Sequence, residues 1–456
     1  MINRRVRRPS RLAAIVGALA LPAVAGVSLA ASHAGAAAKP AARSAPRVRV
    51  EPLAHVRPSG YSADVFAHGR YAYLSSWRGA TCPADGVRVY DLRNPRRPVR
   101  VATFADAASD PLVAGTWTEK TIVQRVRTPR FRGALAVTSF QSCRQGSFQG
   151  FGLYDVTNPR RPRKLSLHRT DPRGSHEIWL QARGRRAYVY TAIPNSELLS
   201  APDFDEQRGA TTPGRADFRI VDVSDPQRPV DVGEWGAWKE LGRYPRGTDA
   251  DGRQRRSFVH SVITNARATR AYLSYWDLGT VILDITRPAR PRYLGRTTTA
   301  RRVQGNAHSG ALGRGGRLLV ETHETADGYP SLFDISRPGR PVHLADFRLR
   351  ATSGPNVPKD SFASGVHDPK VVGTRAYFSW YSRGVVIADI ARPRRPRLLA
   401  QFVPPAEEDR DGALCKTGNC TLVWGVYAHR GYVLASDMVS GLWVLRVRTV
   451  APRRGA

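Results

Sequence analysis

The segment VYDLRNPRRP, residues 89–98, decides the fold because its pattern returns along the whole chain. An apolar strand ends in Asp91, and prolines follow four and seven residues later, at Pro95 and Pro98. Since each proline fixes the backbone and cannot donate to a strand ladder, the chain must turn here. The same arrangement follows five further aspartates, which are Asp155, Asp222, Asp284, Asp334 and Asp389. Six copies of one unit predict a repeat protein, in which the aspartate accepts hydrogen bonds from backbone N–H groups of the turn.

A seventh copy is incomplete. Residues 441–445, GLWVL, match residues 86–90, GVRVY, but Arg446 stands where the aspartate is expected and no proline turn follows. The seventh copy therefore lacks the strand that comes after the turn. Near the other end of the chain, residues 47–53, RVRVEPL, form a strand that belongs to no repeat. We predict that these two fragments pair and complete one unit.

Each unit holds four strands, because a strand, a short Gly/Arg turn and a second strand precede the strand that ends in aspartate. Consecutive aspartates are 64, 67, 62, 50 and 55 residues apart, which exceeds a minimal blade of about 40 to 45 residues and leaves room for insertions. Closing four-stranded units into a ring removes the exposed sheet edges that an open array would leave. The sequence predicts an all-β fold over residues 47–448, a seven-bladed β-propeller whose last blade is closed by the N-terminal strand, followed by a basic tail at 449–456.

The repeat also resembles a known family. The strands at Ile220–Pro226, Ile282–Thr286 and Ile387–Ile390 look like the repeat of LVIVD-repeat proteins. The resemblance covers residues 47–448 and implies an exported or surface β-propeller of bacteria or archaea. It implies no reaction and no catalytic residues.

Composition agrees with a large β-sheet protein. The 456 residues are 41% hydrophobic and 24% charged, which excludes a mainly disordered chain. The 33 prolines and 40 glycines favour many short strands over long helices. The formal net charge is +34, mostly from arginine.

Residues 1–36 read as an export signal, with a basic start, an apolar run from Leu12 to Ala31, and small residues at 34–36 for cleavage. The pair Arg7-Arg8 leaves the general secretory and twin-arginine routes both open. Residues 37–46 form a linker. Because no other apolar run of about 20 residues occurs, we expect a mature chain without a membrane span, secreted or associated with the cell envelope, and monomeric.

Four cysteines in an exported chain are expected to form disulfides, and four allow three connectivities. Cys415 and Cys420 are separated by a short turn-forming stretch, so a local bridge is the simplest pairing. This leaves Cys82 for Cys143, each of which precedes its repeat aspartate by about the same distance.

In a propeller blade, strand A lines the central channel and strand D lies outermost. The A–B and C–D turns share one face, and the B–C and D–A connections share the other. We predict that the second face carries the insertions, which are the segments 104–118, 192–216, 235–258, 350–366 and 403–423. We call it the loop-rich face and the opposite one the turn face. Loops on a rigid scaffold are where binding and chemistry concentrate.

Four histidines start strand A in four consecutive blades: His176, His260, His308 and His367. Neutral imidazoles that converge on an axis suit Zn²⁺, Cu²⁺ or Fe²⁺. Glu177 and Asp368 are predicted extra ligands, or carboxylates that orient a ring. The alternative is that repeat duplication copied a histidine that only bonds a neighbouring backbone. The other blades place Tyr61, the pair Glu119-Lys120 and Trp424 at this level. His323, beside Glu321 and Glu324, is a further candidate ligand, but we expect a hydrated surface residue.

The sequence shows no nucleophile elbow, P-loop, zinc-protease helix or dinucleotide glycine pattern. This weakens hydrolase and nucleotide-binding functions. We therefore expect a binding or scaffold protein of the cell envelope, whose unidentified ligand binds the loop-rich face; the alternative is a metal-dependent enzyme, an oxidoreductase among the candidates. Arginines in the C–D turns could hold the protein against anionic envelope polymers. Nucleic acid is not an expected partner, because no aromatic residues alternate with these arginines as stacking platforms.

Overall fold

The computed structural model describes residues 47–144, 146–170, 174–193, 216–242, 246–248, 254–298, 306–349, 362–415 and 418–450. The predicted export signal and linker lie outside this range. Within it, no helix is both long and apolar enough to cross a membrane.

The first and last described strands close the ring. Strand β1 (Arg47–Val56) pairs antiparallel with β33 (Gly441–Val450), from Arg47 opposite Val450 to Val56 opposite Leu442. Their sheet has the order β1-β33-β32-β31, with β31 (Val423–His429) innermost and β32 (Tyr432–Asp437) between. The predicted shared blade is confirmed, and β33 runs two residues beyond the boundary predicted at 448.

The other six blades have the same antiparallel order, A-B-C-D from the channel outwards. Blade 1 contains β2 (Val65–His68), β3 (Tyr71–Leu74), β4 (Val87–Asp91) and β5 (Val99–Phe104). Blade 2 contains β7 (Thr121–Arg127), β8 (Arg132–Ser142), β9 (Gly150–Asp155) and β10 (Arg163–Arg169), with the short β6 (Thr116–Trp117) added beside β8. Blade 3 contains β11 (Ile178–Arg183), β12 (Arg186–Ala192), β13 (Phe218–Asp222) and β14 (Val230–Trp235).

Blades 4 to 6 complete the set. Blade 4 contains β17 (Ser261–Thr264), β18 (Arg270–Tyr275), β19 (Gly279–Asp284) and β20 (Arg292–Arg296). Blade 5 contains β21 (Ala307–Gly313), β22 (Leu318–His323), β23 (Ser331–Asp334) and β24 (Val342–Asp346). Blade 6 contains β25 (Pro369–Val372), β26 (Arg375–Ser379), β27 (Val385–Asp389) and β28 (Arg397–Phe402). Each strand A contacts strand A of the next blade, from β2 round to β31 and back to β2, so the seven-bladed propeller is confirmed.

The repeat aspartates stabilise the turn that follows them. In all six copies, Oδ1 accepts a hydrogen bond from the backbone N–H two residues further on, at 2.8–3.0 Å. In blades 2, 4 and 6, the other carboxylate oxygen accepts a hydrogen bond from the arginine eight residues on, at 2.7–3.2 Å. The structural role predicted for these aspartates is confirmed.

A glycine lies at the first position of strand C, or directly before it, in five blades because the neighbouring outer strand passes too close for a side chain. At Gly86, which has a φ of +67°, an added Cβ would lie 2.3 Å from the Phe104 carbonyl oxygen. At Gly441, with a φ of +95°, it would lie 2.5 Å from the Val56 carbonyl oxygen. Only glycine tolerates both the positive φ and the contact. The equivalent residues are Gly150, Gly279 and Gly384.

The core lies between neighbouring blades, where strands B and C are buried on both faces. Val281, Ile282 and Leu283 of strand C in blade 4 are fully buried, as are Tyr73 and Tyr275 of strands B. Each buried aliphatic side chain contributes about 1.5–3 kcal/mol through the hydrophobic effect. The blades' own interiors therefore supply most of the stability of the ring.

Several insertions on the loop-rich face contain short elements that the sequence did not predict. The D–A stretch after blade 3 begins with helix α1 (Ala237–Leu241) and includes a hairpin of β15 (Arg246–Thr248) and β16 (Gln254–Arg256). The stretch after blade 6 includes β29 (Glu407–Glu408) paired with β30 (Asn419–Cys420). Most of the predicted insertion 192–216, and 350–361 of another, lie outside the described residues.

Both predicted disulfides are present. Cys82 bonds Cys143 with Cα atoms 6.3 Å apart and joins the B–C loops of blades 1 and 2. Cys415 bonds Cys420 with Cα atoms 5.8 Å apart, and no cysteine is free. This pairing is compatible with an extracellular protein.

Candidate functional site

The four predicted histidines occupy equivalent backbone positions in blades 3 to 6. His176, His260 and His367 each lie just before strand A, and their N–H groups donate to strand B of the same blade at 2.8–3.0 Å. His308 is the second residue of β21. The sheets thus hold all four at the mouth of the channel, on the loop-rich face.

The four imidazoles lie side by side in the order of their blades. Successive ring centroids are 4.3 Å apart for His176 and His260, 4.0 Å for His260 and His308, and 4.3 Å for His308 and His367. Nε2 of His176 lies 2.8 Å from Nε2 of His260. The rings therefore form one continuous cluster, which we call the histidine centre.

Backbone carbonyl groups orient two of the rings. Nδ1 of His260 donates to the carbonyl oxygen of His308 at 3.2 Å, and Nδ1 of His308 donates to that of His367 at 2.8 Å. A carbonyl can only accept, so in the neutral rings the proton is on Nδ1 and the lone pair is on Nε2. This is the tautomer that a metal-ligating imidazole needs.

Two carboxylates border the rings: Glu119, which the sequence placed at this level of the channel, and Glu324, which it did not assign to the site. Nδ1 of His176 lies 2.7 Å from Oε2 of Glu119, although the two are not aligned as a hydrogen bond. Nε2 of His308 lies 3.4 Å from Oε2 of Glu324, whose other oxygen accepts a hydrogen bond from the Tyr381 hydroxyl. One ligand atom each from His260, His308 and Glu324 fit within 4.8 Å of one another.

Burial keeps the histidine centre neutral. It lowers the pKa of His176 to about 3, assisted by the positive charge of Lys120, and lowers the pKa of His260, His308 and His367 well below the usual range. Burial also raises the pKa of Glu324 to about 7. Deprotonated imidazoles are the form that binds metal ions.

Some buried polar atoms of the centre have no hydrogen-bond partner among the residues that the structure describes. Neither ring nitrogen of His367 has one, although the residue is 1% exposed, and Oε1 of the fully buried Glu119 also lacks one. An unsatisfied buried polar group costs about 1–3 kcal/mol, so such groups are rare without a functional reason.

The predicted carboxylates Glu177 and Asp368 contact a lysine in the next layer of the channel. Nζ of Lys120 lies 2.6 Å from Glu177, 3.5 Å from Asp368 and 3.6 Å from Asp64. Burial alone would lower the pKa of Lys120, but these carboxylates raise it well above its usual value. A cavity of 1080 Å³ reaches this layer and is lined by A–B turn residues of the turn face.

The remaining sequence candidates separate into different environments. The Trp424 ring lies 4.3 Å from that of His367, whereas the Tyr61 hydroxyl donates to Asp409 of a D–A loop. The expectation for His323 is wrong, because this residue is only 1% exposed. Its Nε2 pairs with Glu321 at 3.0 Å, in a blade interior apart from the histidine centre. The one sequence signal for Glu324 was its place at the end of a strand B, at the same face as the histidines.

Comparisons with known proteins bear on the fold. The LVIVD repeat model matches residues 214–235, which include strands β13 and β14 of blade 3, so the resemblance to LVIVD repeats is confirmed. A search of curated proteins found no match. Among solved structures, Raptor of Chaetomium thermophilum is similar with a TM-score of 0.57 and 12% identity, over 90% of this chain and 30% of Raptor. The computationally designed Ika8 protein gives a TM-score of 0.47 and 9% identity, over 87% of this chain and 99% of Ika8.

Proposed function

We propose that this β-propeller is an exported metal-binding protein whose histidine centre holds one transition-metal ion. The observation that carries the proposal is that the rings of His176, His260, His308 and His367 contact one another in succession, with ligand atoms of His260, His308 and Glu324 within 4.8 Å of one another. Repeat duplication explains a histidine at one position in each blade. It does not explain the unpartnered nitrogens of His367 or the carboxylates of Glu119 and Glu324 at the edge of the cluster.

The spacing of nitrogen atoms supports a shared ion. Two imidazoles that bind one ion at about 2.1 Å place their nitrogens about 3 Å apart when the bonds are perpendicular. Nε2 of His176 and Nε2 of His260 are 2.8 Å apart. Imidazole donors favour Zn²⁺, Cu²⁺ and Fe²⁺ over Ca²⁺ and Mg²⁺, which take oxygen ligands.

The surrounding side chains have supporting roles in this proposal. Glu119 would supply a negative charge beside His176, and Tyr381 orients Glu324 by hydrogen bonding. Lys120, with its three carboxylates, lies in the next layer of the channel. If the ion is copper or iron, an imidazole set with further coordination positions suits a metal-dependent oxidoreductase; four-coordinate zinc would be a binding or structural site.

Metal content tests the proposal. The protein should be purified from its own export route after growth with Zn, Cu, Fe and Mn, and each metal measured per chain. We expect about one equivalent of one metal in the wild type. The double variant His260→Ala/His308→Ala should hold less than about a tenth of an equivalent while its melting curve stays cooperative, because the blade cores do not depend on the ion.

The matched control is His343→Ala/His429→Ala, which removes two histidines outside the centre and should leave the metal content unchanged. A wild type with less than about a tenth of an equivalent of every metal would contradict the proposal. The function would then be that of a binding or scaffold protein at the cell envelope, with the histidines bonding the backbone of neighbouring blades.

A further inference from the structure

Six arginines occupy one equivalent position on the turn face. Each lies directly before the second proline of a C–D turn, and its backbone N–H donates to the carbonyl oxygen three residues earlier, at 2.8–2.9 Å. The identical turn therefore presents a guanidinium group at the same place in every one of blades 1 to 6. We call this set the arginine ring: Arg97, Arg161, Arg228, Arg290, Arg340 and Arg395.

The guanidinium groups of the arginine ring are exposed and uncompensated. All six residues are exposed, and none makes an ion pair or a side-chain hydrogen bond within the part of the chain that the structure describes. Other arginines of the same blades differ. Arg163, Arg292 and Arg397 each donate to the repeat aspartate of their own blade. In blades 2, 4 and 6 the repeat aspartate is thus paired with an arginine outside the arginine ring.

Charge is segregated between the two faces. The A–B and C–D turns together hold 20 arginines against one acid, Asp225. The B–C loops of blades 1, 2, 4, 5, 6 and 7 hold three arginines against four acids. A general preference for arginine in the composition would raise the number of arginines on both faces alike. The difference therefore points to a feature of the turn face itself.

We propose that the arginine ring docks a linear polyanion that carries phosphate groups in a repeating backbone. Guanidinium groups bind phosphate oxygens in pairs, and several weak contacts on one chain add through multivalency. A single small anion would meet only one turn, whereas a polymer can pass over turns of successive blades. The six turns contain no Trp, Tyr or Phe, so they offer no platform for nucleic-acid bases.

The test is the affinity of the protein for long-chain inorganic polyphosphate, measured at a series of NaCl concentrations. The variant R161Q/R290Q/R395Q removes three ring charges from blades 2, 4 and 6. Its control, R78Q/R144Q/R410Q, removes three exposed arginines that lie on the loop-rich face. Both variants lower the net charge equally, and melting curves should show that both remain folded.

We expect the wild type to bind with an affinity that falls steeply with salt. In the ring variant, the slope of log K against log salt should decrease by about three, because each phosphate contact releases about one counterion. The control should change that slope by less than about one. Equal weakening in both variants would overturn the docking surface, as would binding to vesicles of anionic phospholipid without binding to polyphosphate. Neither result depends on metal at the histidine centre.

Discussion

The two faces of the propeller are stabilised in different ways. On the turn face, the contacts that blades 1 to 6 share are local: each repeat aspartate bonds the N–H two residues on, and each turn closes across three residues. On the loop-rich face, contacts join distant parts of the chain. The Cys82–Cys143 bridge spans 61 residues, and the backbone contacts of His260 and His308 span 48 and 59.

This difference explains where a unique site can arise. A local contact depends on a few neighbouring residues, so repeat duplication copies it with its charge into each blade. A long-range contact needs particular residues from different blades, and each blade then contributes something different. The arginine ring depends on local contacts that the repeat copies into each blade. The histidine centre with Glu119 and Glu324 depends on long-range contacts between different blades.

We expect the largest loss of stability from opening the ring. Deleting residues 47–57 removes β1 and leaves β33 with an unpaired edge, while every aspartate turn stays intact. We expect a loss comparable to the whole stability of a domain, about 5–15 kcal/mol, with aggregation. Thermal denaturation and light scattering measure this. A deleted chain with the wild-type melting temperature would mean that local turns suffice and that ring closure adds nothing.

Removing a disulfide of the loop-rich face should cause an intermediate loss of stability. In the chain-entropy model, Cys82→Ser/Cys143→Ser should lower the free energy of unfolding by about 4 kcal/mol, because the bridge closes a long loop. Cys415→Ser/Cys420→Ser, which opens a separation of only 5 residues, should cost about 2 kcal/mol. Urea denaturation of both variants gives the comparison. Equal losses would show that loop length does not govern the long-range bridge.

We expect the smallest loss of stability from removing a repeat aspartate on the turn face. Asp284→Ala removes hydrogen bonds from Thr286 and Arg292 and should cost about 1 kcal/mol, with Asp327→Ala as the exposed control. Those two hydrogen bonds lower the pKa of Asp284 to about 2. Its contribution is therefore present above its ordinary pKa near 4 and is lost as pH falls from about 4 to 2. A variant as pH-dependent as the wild type in this range would exclude that role.

Much of the fold could be predicted because the evidence is periodic and local. The spacing of aspartate and prolines marks the end of strand C, and its six copies, together with the incomplete seventh, set the blade number. The incomplete copy near Arg446 required a partner strand, and residues 47–56 were the free one. The disulfide pairing followed because Cys82 and Cys143 count back to the same loop of adjacent blades.

The histidine centre was predictable only in part. Equivalent positions in the repeat indicated that His176, His260, His308 and His367 face one mouth, but not which carboxylates accompany them. Glu177 and Asp368 are adjacent in sequence to histidines, yet they contact Lys120 in the next channel layer. Glu324, which contacts His308, comes from the end of another strand, and His323 beside it is buried in a blade interior.

The sequence by itself therefore determined the repeat, the ring and the turns, since these depend on backbone geometry and on residues a few positions apart. Only the tertiary structure decided which side chains share the channel mouth. Neighbouring residues in an extended segment point in different directions, and a contact between blades depends on how two separate sheets are placed. Sequence adjacency carries no information about that placement, so the partners of His308 and of Lys120 emerge only in the folded ring.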